Sequence, residues 1–208
     1  MTVAHAVVAH PDRLEAADRL AADVGAEVQT IDWETRGERW NHQHALKRLI
    51  SETDAEHLVL LEDDAILCPG YHEALDGFLS ALTSPVASLY LGTGSWAMEA
   101  PATHAPRLQL LVERAERHGI PYVTADRLWH GVAVVLHRSV AEDVLDHMQR
   151  RPWPTDAAIG SWCRRNRIEV PHAHPSLVDH ADGPSVTQHP DGRIDRGVRR
   201  AWRVMNQG

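Results

Sequence analysis

The sequence predicts an α/β protein: one domain built on a doubly wound, mostly parallel sheet flanked by helices. Three observations carry this. Short apolar runs rich in β-branched residues alternate with stretches in which apolar residues recur at helical spacing. Turn residues such as Pro11-Asp12, Gly25 and Pro69-Gly70 mark the changes of period. The 208 residues suffice for one sheet with both faces covered, and no linker divides them.

Val3–Ala9 (VAHAVVA) is the first expected strand. Pro11-Asp12 opens a helix with Leu14, Ala17, Leu20, Ala21 and Val24 on one face, which Gly25 stops. Glu27–Ile31 is a second strand ending at Asp32, and the polar WETRGER loop leads into a helix through Ala45, Leu46, Leu49 and Ile50. Leu58–Leu61 is the third strand. Tyr71–Leu82 follows as a helix and Val86–Leu91 as a strand. The second half is less regular. It offers a Gly92–Ser95 loop, a helix over Arg107–Arg117, a strand Val132–Leu136, helices Val140–Met148 and Asp156–Arg165, and a short strand Ile168–Val170.

Composition narrows the class. Two cysteines give neither a disulfide framework nor metal-type spacing, which fits a reducing cytoplasm. No apolar run approaches the ~18–20 residues of a membrane span, and no signal-peptide pattern opens the chain. The expected setting is cytoplasmic. Net charge is −8, from 21 basic and 29 acidic residues. From residue 191 onward there are five arginines against two aspartates, leaving 16 basic and 27 acidic residues, or −11, in the body. That argues against broad electrostatic capture of nucleic acid. Domain 1–190 is thus followed by a basic tail, 191–208. As a helix the tail would set Arg193, Arg196, Arg200 and Arg203 on one face and Ile194, Val198, Ala201 and Met205 on another. It would either pack on the body or present a phosphate- or membrane-facing strip.

The chemistry concentrates at HLVLLEDDAIL, residues 57–67. Glu62, Asp63 and Asp64 close an apolar strand, although neighbouring like charges repel and are costly to bury. In open α/β sheets ligands bind outside the carboxyl ends of the strands. Carboxylates there can hold a divalent cation that bridges to a diphosphate. The plainer alternative is an acidic turn before the next helix.

VLLEDDAILCPGY resembles the acidic metal-site motif of GT-A-fold glycosyltransferases, and its LEDD form is similar to glycosyltransferase family 25. The likeness continues in order. Val7–Arg13 resembles the first nucleotide-binding strand and turn, and RGERWNHQHALK the helix start ahead of the acidic strand. LWHGVAVVLHRSVAEDVLDHM resembles the segment after the acceptor loop, while PTDAAIGSW and HPSLVDHADGPS resemble the late segments. Short sequences of this type also resemble glycosyltransferases encoded by phages, in which case the setting would be the host cytoplasm. Trp129-His130 before Gly131 departs from the pattern and bears on the acceptor.

The resemblance implies a GT-A-like domain that transfers a sugar from a nucleotide-sugar, most simply a UDP-sugar, to a hydroxyl, with inversion. Asp64, Glu62 and His180 would hold Mn²⁺ or Mg²⁺. His10, Arg13, Asp32, Asn41, Glu62, Asp63 and Ser185 would face the donor. Asp156 would take the acceptor's proton. Trp96, Trp129 and His130 would meet the acceptor, a glycan or a hydroxymethylated base in phage-type DNA. Each residue has a plain structural alternative: Asp32 a turn cap, Asn41 an N-cap, Arg13 a solvated helix residue, Asp156 a partner of the helix dipole, the tryptophans buried packing. His172 and His174 are read as ordinary hydrogen-bonding residues. Two other classes stay open: a nucleotidyltransferase, although AHPDRLEAA offers no glycine-rich phosphate loop, and a nucleotide- or sugar-binding module without turnover.

Overall fold

The computed structural model describes residues 1–92, 104–181 and 199–206, with residues 104–107 described by their backbone alone. The strands are β1 (Val3–Ala9), β2 (Val28–Ile31), β3 (His57–Glu62), β4 (Ala65–Leu67), β5 (Val86–Ser88), β6 (Tyr122–Ala125), β7 (Ala133–His137), β8 (Val170–Ala173) and β9 (Val178–His180). The helices are α1 (Leu14–Val24), α2 (Glu38–Glu52), α3 (Tyr71–Ala81), α4 (His104–His118), α5 (Arg138–Gln149) and α6 (Thr155–Arg165). A 3-10 turn, Pro11–Arg13, precedes α1.

Seven strands form one sheet in the order β2-β1-β3-β7-β5-β8-β6. β1, β2 and β3 are mutually parallel and β5 is parallel to β8. β7 runs against both β3 and β5, and β6 against β8. Five strands thus share a direction, and the sheet is mixed rather than doubly wound throughout. β6 follows α4, and β7 follows β6 through a loop with no helix between them, so the strand–helix alternation of a doubly wound sheet is broken there. β4 and β9 make a separate antiparallel pair, with Ala65 opposite His180 and Leu67 opposite Val178.

Both faces of the sheet are covered, and the pleat sorts the side chains. Leu58 and Leu60 of β3 join Ala4, Ala6 and Val8 in a core shared with Leu46, Leu49, Val144, Met148 and Ile159. Val59 and Leu61 join Val7 and Ala9 in the opposite core, with Leu20, Val24, Leu75 and Phe78. A strand buried on both faces reads as a continuous apolar run, which is how LVLL reads. Truncating one of these fully buried leucines to alanine costs about 2–5 kcal/mol. Gly25 ends α1 at φ +63°, where a residue with a Cβ is strained.

The tail departs from the expected helix. Over residues 199–206 it runs extended along the body: the N–H groups of Trp202 and Met205 donate to the carbonyls of Leu91 and Ser176, and the Ser176 N–H donates to Arg203. The tail thereby satisfies the Leu91 carbonyl and both backbone groups of Ser176, none of which lies in a named strand. Ala201, Val204 and Met205 pack against the core while Arg200 and Arg203 pair with Asp179 and Glu116, each at 3.1 Å. Residues 191–198 lie outside the described residues. No described helix is long and apolar enough to cross a membrane.

Candidate functional site

The acidic triplet lies where β3 leaves the sheet. The Glu62 N–H donates to Val132 O at 2.9 Å and the Asp63 N–H to Val8 O at 3.1 Å, so the strand is pinned between its neighbours to its last residue. The alternation that sorts the core also sorts the carboxylates. Glu62 falls on the side of Leu58 and Leu60, toward α2. Asp63 falls on the other side, toward the turn after β1. Asp64 ends in the bend before β4.

Asp63 and Asp64 share Arg13. Its Nη1 donates to Asp63 Oδ1 at 2.9 Å and to Asp64 Oδ2, and the His10 N–H donates to Asp63 Oδ2 at 2.7 Å. Asp63 is 7% exposed. Burial raises its pKa, against the lowering effect of the His10 N–H and the guanidinium. Arg13 is thus no solvated helix residue: it offsets the charge of two nearly buried carboxylates. His10 contributes its backbone to Asp63, while its ring accepts the Asp12 N–H.

Asp64 also meets His180. Pairing of β4 with β9 brings the His180 Nε2 to 3.4 Å from Asp64 Oδ2, with the imidazole almost fully buried. Asp64 Oδ1 and His180 Nδ1 are both buried without a hydrogen-bond partner. Burial lowers the His180 pKa, with Asp64 opposing. The expected ligand set therefore divides: Asp64 and His180 stand together and Glu62 turns away from them.

Glu62 joins a group that the acidic motif alone does not reveal. Its Oε1 is 3.6 Å from Nε2 of His42, whose Nδ1 is 3.1 Å from Oε1 of Glu38. Ligand atoms of Glu38, His42 and Glu62 all lie within 4.8 Å of one another, so this cluster could hold a metal ion. The pKa of Glu62 is raised well above the ordinary glutamate range, first by burial and then by Asp64, Glu38, Asp63 and Asp156. Gly131 passes so close that an added Cβ would meet Glu62 Oε1 at 2.9 Å.

Asp156 belongs to the same region. It stands in the first turn of α6, with Oδ1 accepting the Ala157 N–H at 2.6 Å. Burial pushes its pKa up to about 6, with Glu38 adding repulsion and His42 opposing. A carboxyl poised there can take a proton near neutral pH.

Asp32 is 6% exposed, and its two oxygens accept the N–H groups of Arg36 and Gly37 at 2.8 and 2.6 Å. This cap shapes the loop in which Gly37 takes φ +95°. Asn41 does not begin its helix, because α2 starts three residues earlier at Glu38. Its Nδ2 donates to the carbonyls of Ala9 and Thr30 at 3.0 and 3.3 Å, tying α2 to the ends of β1 and β2, while Oδ1 is buried without a partner. Trp129 stacks on His172 at 4.4 Å between centroids. His130 packs edge-on against Tyr90 at 5.2 Å, and burial, with His180 and Arg199 adding, lowers its pKa to about 4. Both residues are partly buried, with their rings packed on neighbouring side chains. Ser185 and Trp96 lie outside the described residues. Two tryptophans not assigned to the acceptor are exposed at the approaches to α2 and α6, Trp33 at 64% and Trp153 at 40%. Arg39 on α2 donates to the Arg151 carbonyl at 2.8 Å and links those approaches.

No family model and no curated protein matches the chain. Among solved structures it is similar to the crystal structure of A197 from STIV, at 12% identity and a TM-score of 0.48, with 100% of each chain covered.

Proposed function

We propose that the chain is a metal-dependent glycosyltransferase with a GT-A-like fold, moving a sugar from a nucleotide-sugar, most simply a UDP-sugar, to an acceptor hydroxyl with inversion. The observation that carries this reading is the buried Asp64–His180 pair at the end of β3, 3.4 Å apart. Oxygen and imidazole donors suit Mn²⁺, and the unpartnered Asp64 Oδ1 leaves a lone pair free in a nearly dry place. Asp64 and His180 would hold the ion, which when bound supplies positive charge to the departing diphosphate.

The chain's own groups do the rest. Arg13 offsets the charge of Asp63 and Asp64 and keeps them together before a donor arrives. The Asp32-capped loop and Asn41 fix the exits of β1 and β2, where the nucleotide would lie. Asp156, with its raised pKa, takes the proton of the attacking hydroxyl; direct displacement on the face opposite the leaving diphosphate inverts the anomeric carbon. Trp33 and Trp153 offer faces on which a sugar can stack. A glycan acceptor is favoured over DNA, because Arg200 and Arg203 already pair with the body.

The test is release of nucleotide from a panel of UDP-, GDP- and CMP-sugars with and without Mn²⁺, using a mixed glycan acceptor pool. One donor class should be consumed in the presence of Mn²⁺ and not by Asp64→Asn. Equal consumption by Asp64→Asn would overturn the reading.

A further inference from the structure

His42 is wholly buried, and its two ring nitrogens stand in different settings. Nδ1 lies 3.1 Å from the main-chain carbonyl of Glu38, one turn earlier in α2. A carbonyl oxygen only accepts, so Nδ1 carries the hydrogen and the lone pair of the neutral ring sits on Nε2. That nitrogen has no hydrogen-bond partner and faces Glu62 Oε1 at 3.6 Å. At 3.6 Å no hydrogen bond joins them, so the lone pair of this buried nitrogen has no donor. The Glu38 carboxyl group approaches the other nitrogen of the same ring, with Oε1 3.1 Å from Nδ1, so the imidazole lies between two carboxyl groups.

We infer that Glu38, His42 and Glu62 form a divalent-cation site of their own, selective for a first-row ion such as Zn²⁺, separate from the Asp64–His180 pair. The donor set of one imidazole nitrogen and two carboxylates suits such an ion. The tautomer is the one that metal-bound histidines hold, with the second ring N–H fixed on a main-chain carbonyl. Both carboxylates are about one quarter exposed, at 27% for Glu38 and 26% for Glu62, so the ion has a path from solvent. Asp156 feels Glu38 and His42, and a cation bound between them would favour its ionised form. The site stands on its own geometry and does not depend on the glycosyl-transfer reading.

Calorimetric titration of tag-free, chelator-treated full-length protein with ZnCl₂ tests this directly. The wild type should bind one equivalent that persists in Asp64→Asn. His42→Gln and Glu38→Gln should each weaken that equivalent by about tenfold or more. Glu38→Gln alters a partly exposed side chain at the start of α2 and keeps the test valid if His42→Gln fails to fold. Unchanged affinity in a folded Glu38→Gln, loss of the equivalent in Asp64→Asn alone, or no zinc binding by the wild type would each overturn the assignment.

Discussion

Nε2 of His42 and Oε1 of Glu62 face each other across 3.6 Å, with no hydrogen bond made by the imidazole nitrogen. The contact joins the first turns of α2 to the last residue of β3 and brings the acidic strand end into the range of Asp156. It also holds Glu62 apart from Asp63 and Asp64, which Arg13 keeps together on the other side of the strand.

Gly131 is the lever on Glu62. In Gly131→Ala the new methyl would meet the Glu62 carboxylate at 2.9 Å. The carboxylate is the far end of a flexible side chain, so it will swing aside and the fold will persist. Zinc affinity should fall while Mn²⁺-dependent donor binding changes less. Parallel titrations with the two ions check this, and an equal loss of both would merge the two sites into one.

Asp63 and Asp64 should separate stability from function. Asp63→Ala leaves the His10 N–H without its acceptor and Arg13 with one carboxylate fewer, at a cost of about 1–3 kcal/mol. Asp64→Asn keeps an acceptor oxygen beside Arg13 and should cost less. It should nonetheless abolish metal-dependent turnover. Urea unfolding of both variants alongside the activity assay gives the comparison.

Asp156 carries a pH signature. Its folded pKa of about 6 lies above the ordinary 3.8 because burial disfavours the charged form. Its contribution to stability is thus full below pH 4 and is lost as pH rises through 6. Asp156→Asn should therefore be the more stable protein at pH 7.5, by about 1 kcal/mol after allowance for partial exposure, and no more stable at pH 4. Wild-type turnover should rise with pH through about 6, and the variant should bind donor without transferring sugar. A turnover profile flat from pH 5 to 7 would remove Asp156 from the base's role.

Asp32 shapes a loop whichever ligand arrives. Asp32→Ala frees the N–H groups of Arg36 and Gly37 and should loosen residues 33–37. Hydrogen exchange there should speed up at a global cost of about 1–3 kcal/mol. Donor affinity should drop with it.

Much of the first half is legible in the sequence. Val3–Ala9 is found as expected, and β3 and α3 extend within one residue of expectation, because their periods are strong and their turn residues unambiguous. The very short strands are not legible. AIL in β4 and VDH in β9 have too few residues to show a period, yet their pairing is what carries His180 to Asp64. β6 escapes detection for the same reason. The expected strand over Val86–Leu91 stops at Ser88 because its continuation bonds irregularly to Ala133, Leu177 and Val178. Glu38 and His42 are readable in principle: a four-residue spacing puts both on one face of α2. Strand alternation likewise assigns Glu62 to the face of Leu58 and Leu60. What no spacing reveals is that those two faces meet, since this depends on how α2 lies on the sheet.

A metal-dependent donor site at the end of β3 is the centre of the proposed function. Thermal unfolding of wild type and Asp64→Asn with UDP, GDP, CMP and their sugars, with and without Mn²⁺, tests it most directly. At a nucleotide concentration a hundredfold above its Kd, one nucleotide should raise the wild-type Tm by about 5–10 °C when Mn²⁺ is present. Asp64→Asn should show no such rise. A folded wild-type protein whose Tm is moved by no nucleotide, with or without Mn²⁺, would contradict a donor site there.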